Sequence, residues 1–121
     1  MMKKIVIIDD KEAMTKVMSH YLSANFECIC FDNPLKAFAW LEEGHRPDLI
    51  LLDIRMPEMT GDECLRKLKA NEWYKEIPVI IVSAEDNSQE RIRFLSEGAE
   101  DYITKPFNPM ELKVRITKVL K

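Results

Sequence analysis

Asp48-Leu49-Ile50-Leu51-Leu52-Asp53 is the stretch that decides the fold. Four consecutive apolar residues stand between two carboxylates, a run of strand length introduced by Pro47. A strand with one wet face alternates apolar and polar residues; one that is apolar throughout is buried on both faces. Such a strand needs helices on either side of it. Working outward, Lys3 to Asp9 and Val79-Ile80-Ile81-Val82 after Pro78 are runs of the same kind. Asp101 to Lys105 is a further strand, and Glu27 to Phe31 alternates as a strand.

The segments between them carry helical spacing and helix punctuation. Lys11 to Ala24 places Met14, Val17, Met18, Tyr21 and Leu22 on one face. Asn33-Pro34 is an N-cap followed by proline at the first helical position, and this helix runs to Gly44. Thr60-Gly61-Asp62 opens a helix that continues through Ala70. Ser88 to Glu97 reads as a helix closed by Gly98 in the left-handed conformation. Asn108-Pro109-Met110-Glu111 reads as a capping box, followed by the apolar stripe Leu112, Ile116, Val119 and Leu120. Five strands and five helices in strict alternation predict a doubly wound α/β domain. Its five-stranded parallel sheet has the order 2-1-3-4-5, with helices on both faces.

The 121 residues are read as one domain, 1–121, with 46% apolar and 32% charged residues, the composition of a globular chain. The 21 acidic against 18 basic side chains leave a net charge of −3, so no direct nucleic-acid binding is expected. No apolar run approaches the length of a membrane span, and Asp9-Asp10 ends the first one where a signal peptide would need small residues. A cytoplasmic protein without membrane contact is expected. Cys28, Cys30 and Cys64 show no metal or redox spacing and are read as small, partly buried thiols. Trp73 and Tyr74, in the loop before the fourth strand, are read as covering the core.

In an open α/β sheet, ligands bind beyond the carboxyl ends of the strands. The first strand ends in Asp9-Asp10, the third in Asp53, the fourth in Ser83-Ala84 and the fifth in Lys105-Pro106. The order 2-1-3-4-5 makes these four strands contiguous, so three carboxylates, a hydroxyl and an ammonium meet at one edge. Two carboxylates about 5 Å apart repel by roughly 3 kcal/mol at an effective dielectric near 20. The cluster therefore calls for a cation, and an all-oxygen donor set suits Mg²⁺, with Mn²⁺ as the alternative. With glycine only at positions 44, 61 and 98, neither nucleotide-binding loop can be formed. An aspartate can instead be the nucleophile and form an acyl phosphate, and Asp53 is the best placed.

These residues resemble the receiver domain of two-component response regulators, with its CheY-like, flavodoxin-like fold, over essentially the whole chain. The matching pieces are Asp9-Asp10, the run from Asp48 through Asp53 to Pro57 with Gly61 following, Ser83-Ala84, and Gly98 through Asp101, Tyr102 and Lys105-Pro106 to Phe107. The resemblance implies that Asp53 is the phosphoacceptor, charged by a sensor histidine kinase or phosphotransfer protein. It implies a metal held by Asp10, Asp53 and the carbonyl of Arg55, with Asp9 acting through water. It implies that Lys105, Ser83 and the N–H groups of Ile54 and Ala84 hold the phosphoryl group, and that Pro106 follows a cis peptide bond. Ser83 and Tyr102 would be the switch pair; an outward Tyr102 hydroxyl is the plain alternative. Arg91, Asp101, Glu111 and Arg115 match a homodimer face formed by the fourth helix, fifth strand and fifth helix. Arg55 and Glu85, two residues beyond the acceptor and the hydroxyl residue, would pair over the mouth of the site and limit water attack.

The resemblance implies a phosphoacceptor switch, not an enzyme acting on other substrates. A haloacid-dehalogenase-type phosphatase would need a second aspartate where this chain has Arg55. A pseudo-receiver, a pure interaction module, is the remaining alternative. The chain either stands alone or belongs to a longer regulator, whose output domain would begin after Lys121.

Overall fold

The computed structural model describes residues 2–56 and 59–121. Pro57, which closes the matching run around Asp53, lies outside the described residues. The elements follow in the order β1 (Lys4–Ile8), α1 (Glu12–Leu22), β2 (Glu27–Phe31), α2 (Pro34–Glu42), β3 (Leu49–Leu52), α3 (Gly61–Ala70), β4 (Val79–Ser83), α4 (Ser88–Ser96), β5 (Asp101–Thr104) and α5 (Pro109–Val119). One sheet of order β2-β1-β3-β4-β5 holds all five strands, each pair parallel.

The inner strands are buried on both sides, as their unbroken apolar runs require. Val6, Ile8, Ile50, Leu52, Val79 and Ile81 pack with Ala37, Leu41, Leu65, Leu68 and Phe94 from α2, α3 and α4. Ile5, Ile7, Leu49, Leu51, Ile80 and Val82 pack with Met18, Leu22, Leu112 and Ile116 from α1 and α5. Each fully buried side chain of this size is worth roughly 1.5–3 kcal/mol, so the two apolar layers dominate the stability. Among the described residues, no helix is long and apolar enough to cross a membrane.

Local chemistry sets the ends of the helices. Asn33, Asn87 and Asn108 each accept hydrogen bonds from N–H groups of the first turn. At Asn108 the cap is one-way; the reciprocal box forms at α3 instead, where Thr60 and Glu63 bond each other's backbone. α1 stops at Leu22, two residues early, because Asn25 and Phe26 fold back onto the Leu22 carbonyl. Gly98 takes φ +112°, the left-handed conformation expected of it.

Two readings are corrected. Trp73 does not cover the core: its N–H bonds Asn71 Oδ1 and its carbonyl accepts Arg46, a turn that leaves the residue 79% exposed. Tyr74 alone packs inward, against Phe38. The cysteines differ more than expected, since Cys64 is fully buried and Cys30, on the edge strand β2, is exposed. Burial pushes the Cys64 thiol up to about 12; burial, then the neighbouring Cys30, push Cys28 up to about 11.

Candidate functional site

Register brings the strand ends together. Ile8 lies opposite Leu52, and Ser83 opposite Thr104. The pairing continues one residue past each strand. Asp9 N–H bonds Phe31 O at 3.1 Å, Asp53 N–H bonds Ile8 O at 2.9 Å, and Lys105 N–H bonds Ser83 O at 2.7 Å. Three of the site residues are thus fixed by the sheet itself. The Lys105–Pro106 peptide bond is cis.

Asp9 and Asp53 are buried, while Asp10 is exposed at the rim. Each of the three offers a carboxylate oxygen within 4.8 Å of the others. The Lys105 ammonium lies 2.9 Å from Asp9 Oδ2 and 3.6 Å from Asp53 Oδ1. Asp53 Oδ2 is buried and has no hydrogen-bond partner among the described residues. Burial raises the Asp53 carboxyl above its ordinary range; Lys105 pulls it back, Asp9 pushes it up again, and the Arg55 N–H and Lys11 oppose the rise. A buried carboxylate oxygen with no donor, beside two more carboxylates, is a standing demand for a cation. The donor set is all oxygen, which fits Mg²⁺.

The start of α3 lies close against the end of β3. A side chain at Gly61 would bring its Cβ 2.5 Å from Ile54 Cα and 2.8 Å from the Asp53 carbonyl. Only glycine permits this approach, and the Gly61 N–H bonds Ile54 O at 3.1 Å.

On the other side, Ser83 is fully buried, and its Oγ accepts the Glu85 N–H at 3.0 Å. Tyr102 is only 4% exposed, and its hydroxyl donates to the Glu85 carbonyl at 2.9 Å. Its ring is therefore inside, not at the surface. Period-two spacing along β5 selects the face of the sheet but not the side chain's rotamer. Glu85 also pairs with Arg55 through its carboxylate. Ala84 is exposed at the rim and Ile54 half-buried. Lys11 is a cation that sequence reasoning did not single out. Its N–H bonds Asp9 Oδ1 at 2.9 Å, and its ammonium lies 3.9 Å from Asp10. Its place directly after the acidic pair was the available signal.

The remaining candidates lie outside the carboxylate cluster, with the Arg91 guanidinium over the Tyr102 ring, 5.7 Å from its centroid. Arg115 forms ion pairs with Asp101 at 2.9 Å and Glu111 at 3.7 Å, and Arg91 pairs with Asp86 at 3.2 Å. These charges are satisfied within one chain. Around them Ile92, Met110 and Val114 are exposed.

A sequence profile described as the response regulator receiver domain matches residues 5–117. The chain is 39% identical over 120 residues to the phosphate regulon transcriptional regulatory protein PhoB of Pseudomonas aeruginosa, covering 98% of this chain and 52% of that protein. It spans about half the length of the phosphate regulon regulators it matches. It is 36% identical to the two-component response regulator ORR5 of Oryza sativa subsp. japonica, covering 97% of this chain and 88% of that one. Among solved structures, the chemotaxis response regulator CheY4 of Vibrio cholerae superposes with a TM-score of 0.90 at 29% identity, covering 99% of this chain and all of that one.

Proposed function

The chain belongs to the response regulator receiver domain family, and from that premise we propose that residues 1–121 form one receiver domain whose phosphoacceptor is Asp53. The observation that carries this reading is the Asp53 carboxylate: its Oδ2 is buried and without a partner among the described residues, its Oδ1 lies 3.6 Å from Lys105, and the carboxylates of Asp9 and Asp10 stand beside it.

Asp53 attacks the phosphorus of a phosphohistidine on a sensor kinase or phosphotransfer protein. The new P–O bond forms as the P–N bond breaks, and the imidazole leaves with a proton from solvent. Asp10, Asp53 and the Arg55 carbonyl would hold Mg²⁺ (or Mn²⁺), with Asp9 acting through water. The bound ion would neutralise charge on the transferring phosphoryl oxygens. Lys105, Ser83 and the N–H groups of Ile54 and Ala84 take the remaining oxygens.

Phosphorylation adds negative charge and acceptor oxygens beside Ser83. Ser83 Oγ then exchanges its Glu85 N–H for the phosphoryl group. Tyr102, already bonded to the Glu85 carbonyl, reports that exchange to the face made by α4, β5 and α5. This face would serve a homodimer, in which Arg91, Asp101, Glu111 and Arg115 re-pair between copies, or an output domain or target protein. Residues 1–121 would act as a switch, not as an enzyme on other substrates, and would themselves contact neither nucleic acid nor membrane directly.

The test is intact-protein mass after acetyl phosphate, with and without Mg²⁺, beside Asp53→Asn. One added phosphoryl group that requires both Mg²⁺ and Asp53 is the expected result. No gain, with no binding of beryllofluoride, would make the chain a pseudo-receiver.

A further inference from the structure

α4 is weakly held by apolar packing. Phe94 is its one buried residue, whereas α3 buries Cys64, Leu65 and Leu68. Ile92 and Leu95 on α4 are 65% and 39% exposed. Something other than burial must fix where this helix sits.

Arg93 supplies it. Its Nη2 donates to Glu90 Oε2 at 2.8 Å, and its Nη1 lies 3.7 Å from Glu97 Oε2, so it bonds along its own helix. The same Nη1 donates across to Asp62 Oδ1 at 2.7 Å. Asp62 lies in the first turn of α3, 31 residues away in the chain, and its Oδ2 accepts Arg66 Nη1 at 2.9 Å. The Arg93 guanidinium also covers the Phe94 ring, 4.5 Å from its centroid. Phe94 in turn lies 6.2 Å, centroid to centroid, from Tyr102.

We propose that Arg93 is a positioning residue for the switch: by fastening α4 to the start of α3 it seats Phe94 against Tyr102 and keeps the Tyr102 ring inside. The functional consequence rests on the reading of Asp53 and Tyr102 given above; the placement of α4 does not. Single surface ion pairs contribute little, but one guanidinium shared among three carboxylates and a ring is a network with fixed geometry. It acts on an element with one apolar anchor, where a small term decides the local equilibrium. A ligand at Asp53 that favours the inward ring is then bound more weakly when that ring is released.

The experiment uses the whole chain without any phosphodonor. Amide hydrogen exchange and the ring resonances of Tyr102 are compared for wild type, Arg93→Ala, Asp62→Asn and the double variant. Each single variant is expected to speed exchange in α4 roughly threefold or more and to shift the Tyr102 ring signals, with α1 and α5 unchanged. The double variant is expected to add nothing to Arg93→Ala. Beryllofluoride with Mg²⁺ is expected to bind Arg93→Ala at least roughly threefold more weakly than wild type. Unchanged α4 exchange and Tyr102 signals would overturn the proposal. So would exchange rising equally in α1 and α5, the mark of a general loss of stability. If Arg93→Ala does not fold, Asp62→Asn alone decides. If wild type binds no beryllofluoride, the reading of Asp53 falls, while exchange and ring signals still decide the clamp.

Discussion

The Lys105 ammonium sits closer to Asp9 Oδ2, at 2.9 Å, than to Asp53 Oδ1, at 3.6 Å. In the structure the lysine therefore compensates the fully buried carboxylate first and leaves Asp53 partly unpaid. Lys105→Met should leave Asp9 buried without its counter-charge, holding only the Lys11 N–H, a loss of about 3 kcal/mol by the usual cost of breaking a buried pair. Urea unfolding without Mg²⁺ measures it. Mg²⁺ should return part of the loss, because binding to the folded state alone stabilises it. A midpoint equal to wild type would show that the pair is solvated in solution.

Asp53→Asn should behave in the opposite sense. Burial disfavours the ionised Asp53, and its Oδ2 has no donor among the described residues. A neutral amide of the same shape removes that cost. The variant should be more stable than wild type by about 1 kcal/mol, a few degrees in Tm, in the absence of Mg²⁺. It should also gain less from added Mg²⁺, since one carboxylate is gone. Thermal scans with and without the ion test both points; a variant no more stable than wild type would mean that Asp53 is already compensated.

The strand ends were legible because a parallel sheet ties register to backbone pairing. Once Leu49 to Leu52 is a doubly buried strand, Asp53 has to emerge beside Asp9, and the N–H of Asp53 bonds Ile8 O as that register demands. Rotamers and surface pairings were not legible. Tyr102 inward and Tyr102 outward share one sequence. Arg93 has 21 acidic side chains to choose from in a chain with no spacing rule that joins α3 to α4. Trp73 was misplaced for a related reason: an aromatic residue next to a core strand is drawn inward only if the turn allows it, and the Asn71 and Arg46 bonds fix a turn that does not.

Arg55 and Glu85 form an ion pair beside Asp53, and the Glu85 backbone separately holds Ser83 Oγ and the Tyr102 hydroxyl. Glu85→Ala removes the pair and keeps both backbone bonds. The phosphorylated variant should therefore reach the same switched state but lose its phosphoryl group faster. The gain is up to about fivefold, the ceiling set by an exposed pair worth at most about 1 kcal/mol. The decay of phosphorylated protein after removal of acetyl phosphate measures it. Equal decay rates would make Arg55 and Glu85 two solvated charges.

Asp62 and Glu97 give the α3–α4 contact a pH dependence. Burial acts to raise Asp62, but the hydrogen bond with Glu97 and the charges of Arg93 and Arg66 outweigh it and hold the carboxyl below its ordinary range. Glu97 is raised, by burial first and then by the hydrogen bond and charge of Asp62, against Arg93 and Arg66. Glu90 adds a third carboxylate on the same guanidinium. The contribution of Asp62 is lost as pH falls through its low folded value; that of Glu97 is lost as pH rises through its raised one. The contact is therefore strongest in mild acid, where Glu97 keeps a proton and Asp62 does not. As the pH rises Glu97 loses that proton, and its Oε1, buried, has no donor among the described residues. Glu97→Gln keeps a donor for Asp62 at every pH. It should stabilise the protein by a few tenths of a kcal/mol at about pH 7, and by less as the pH is lowered to about 4.5. Urea midpoints at the two pH values decide it: a gain that does not shrink in acid would mean that Glu97 titrates as a free surface carboxylate.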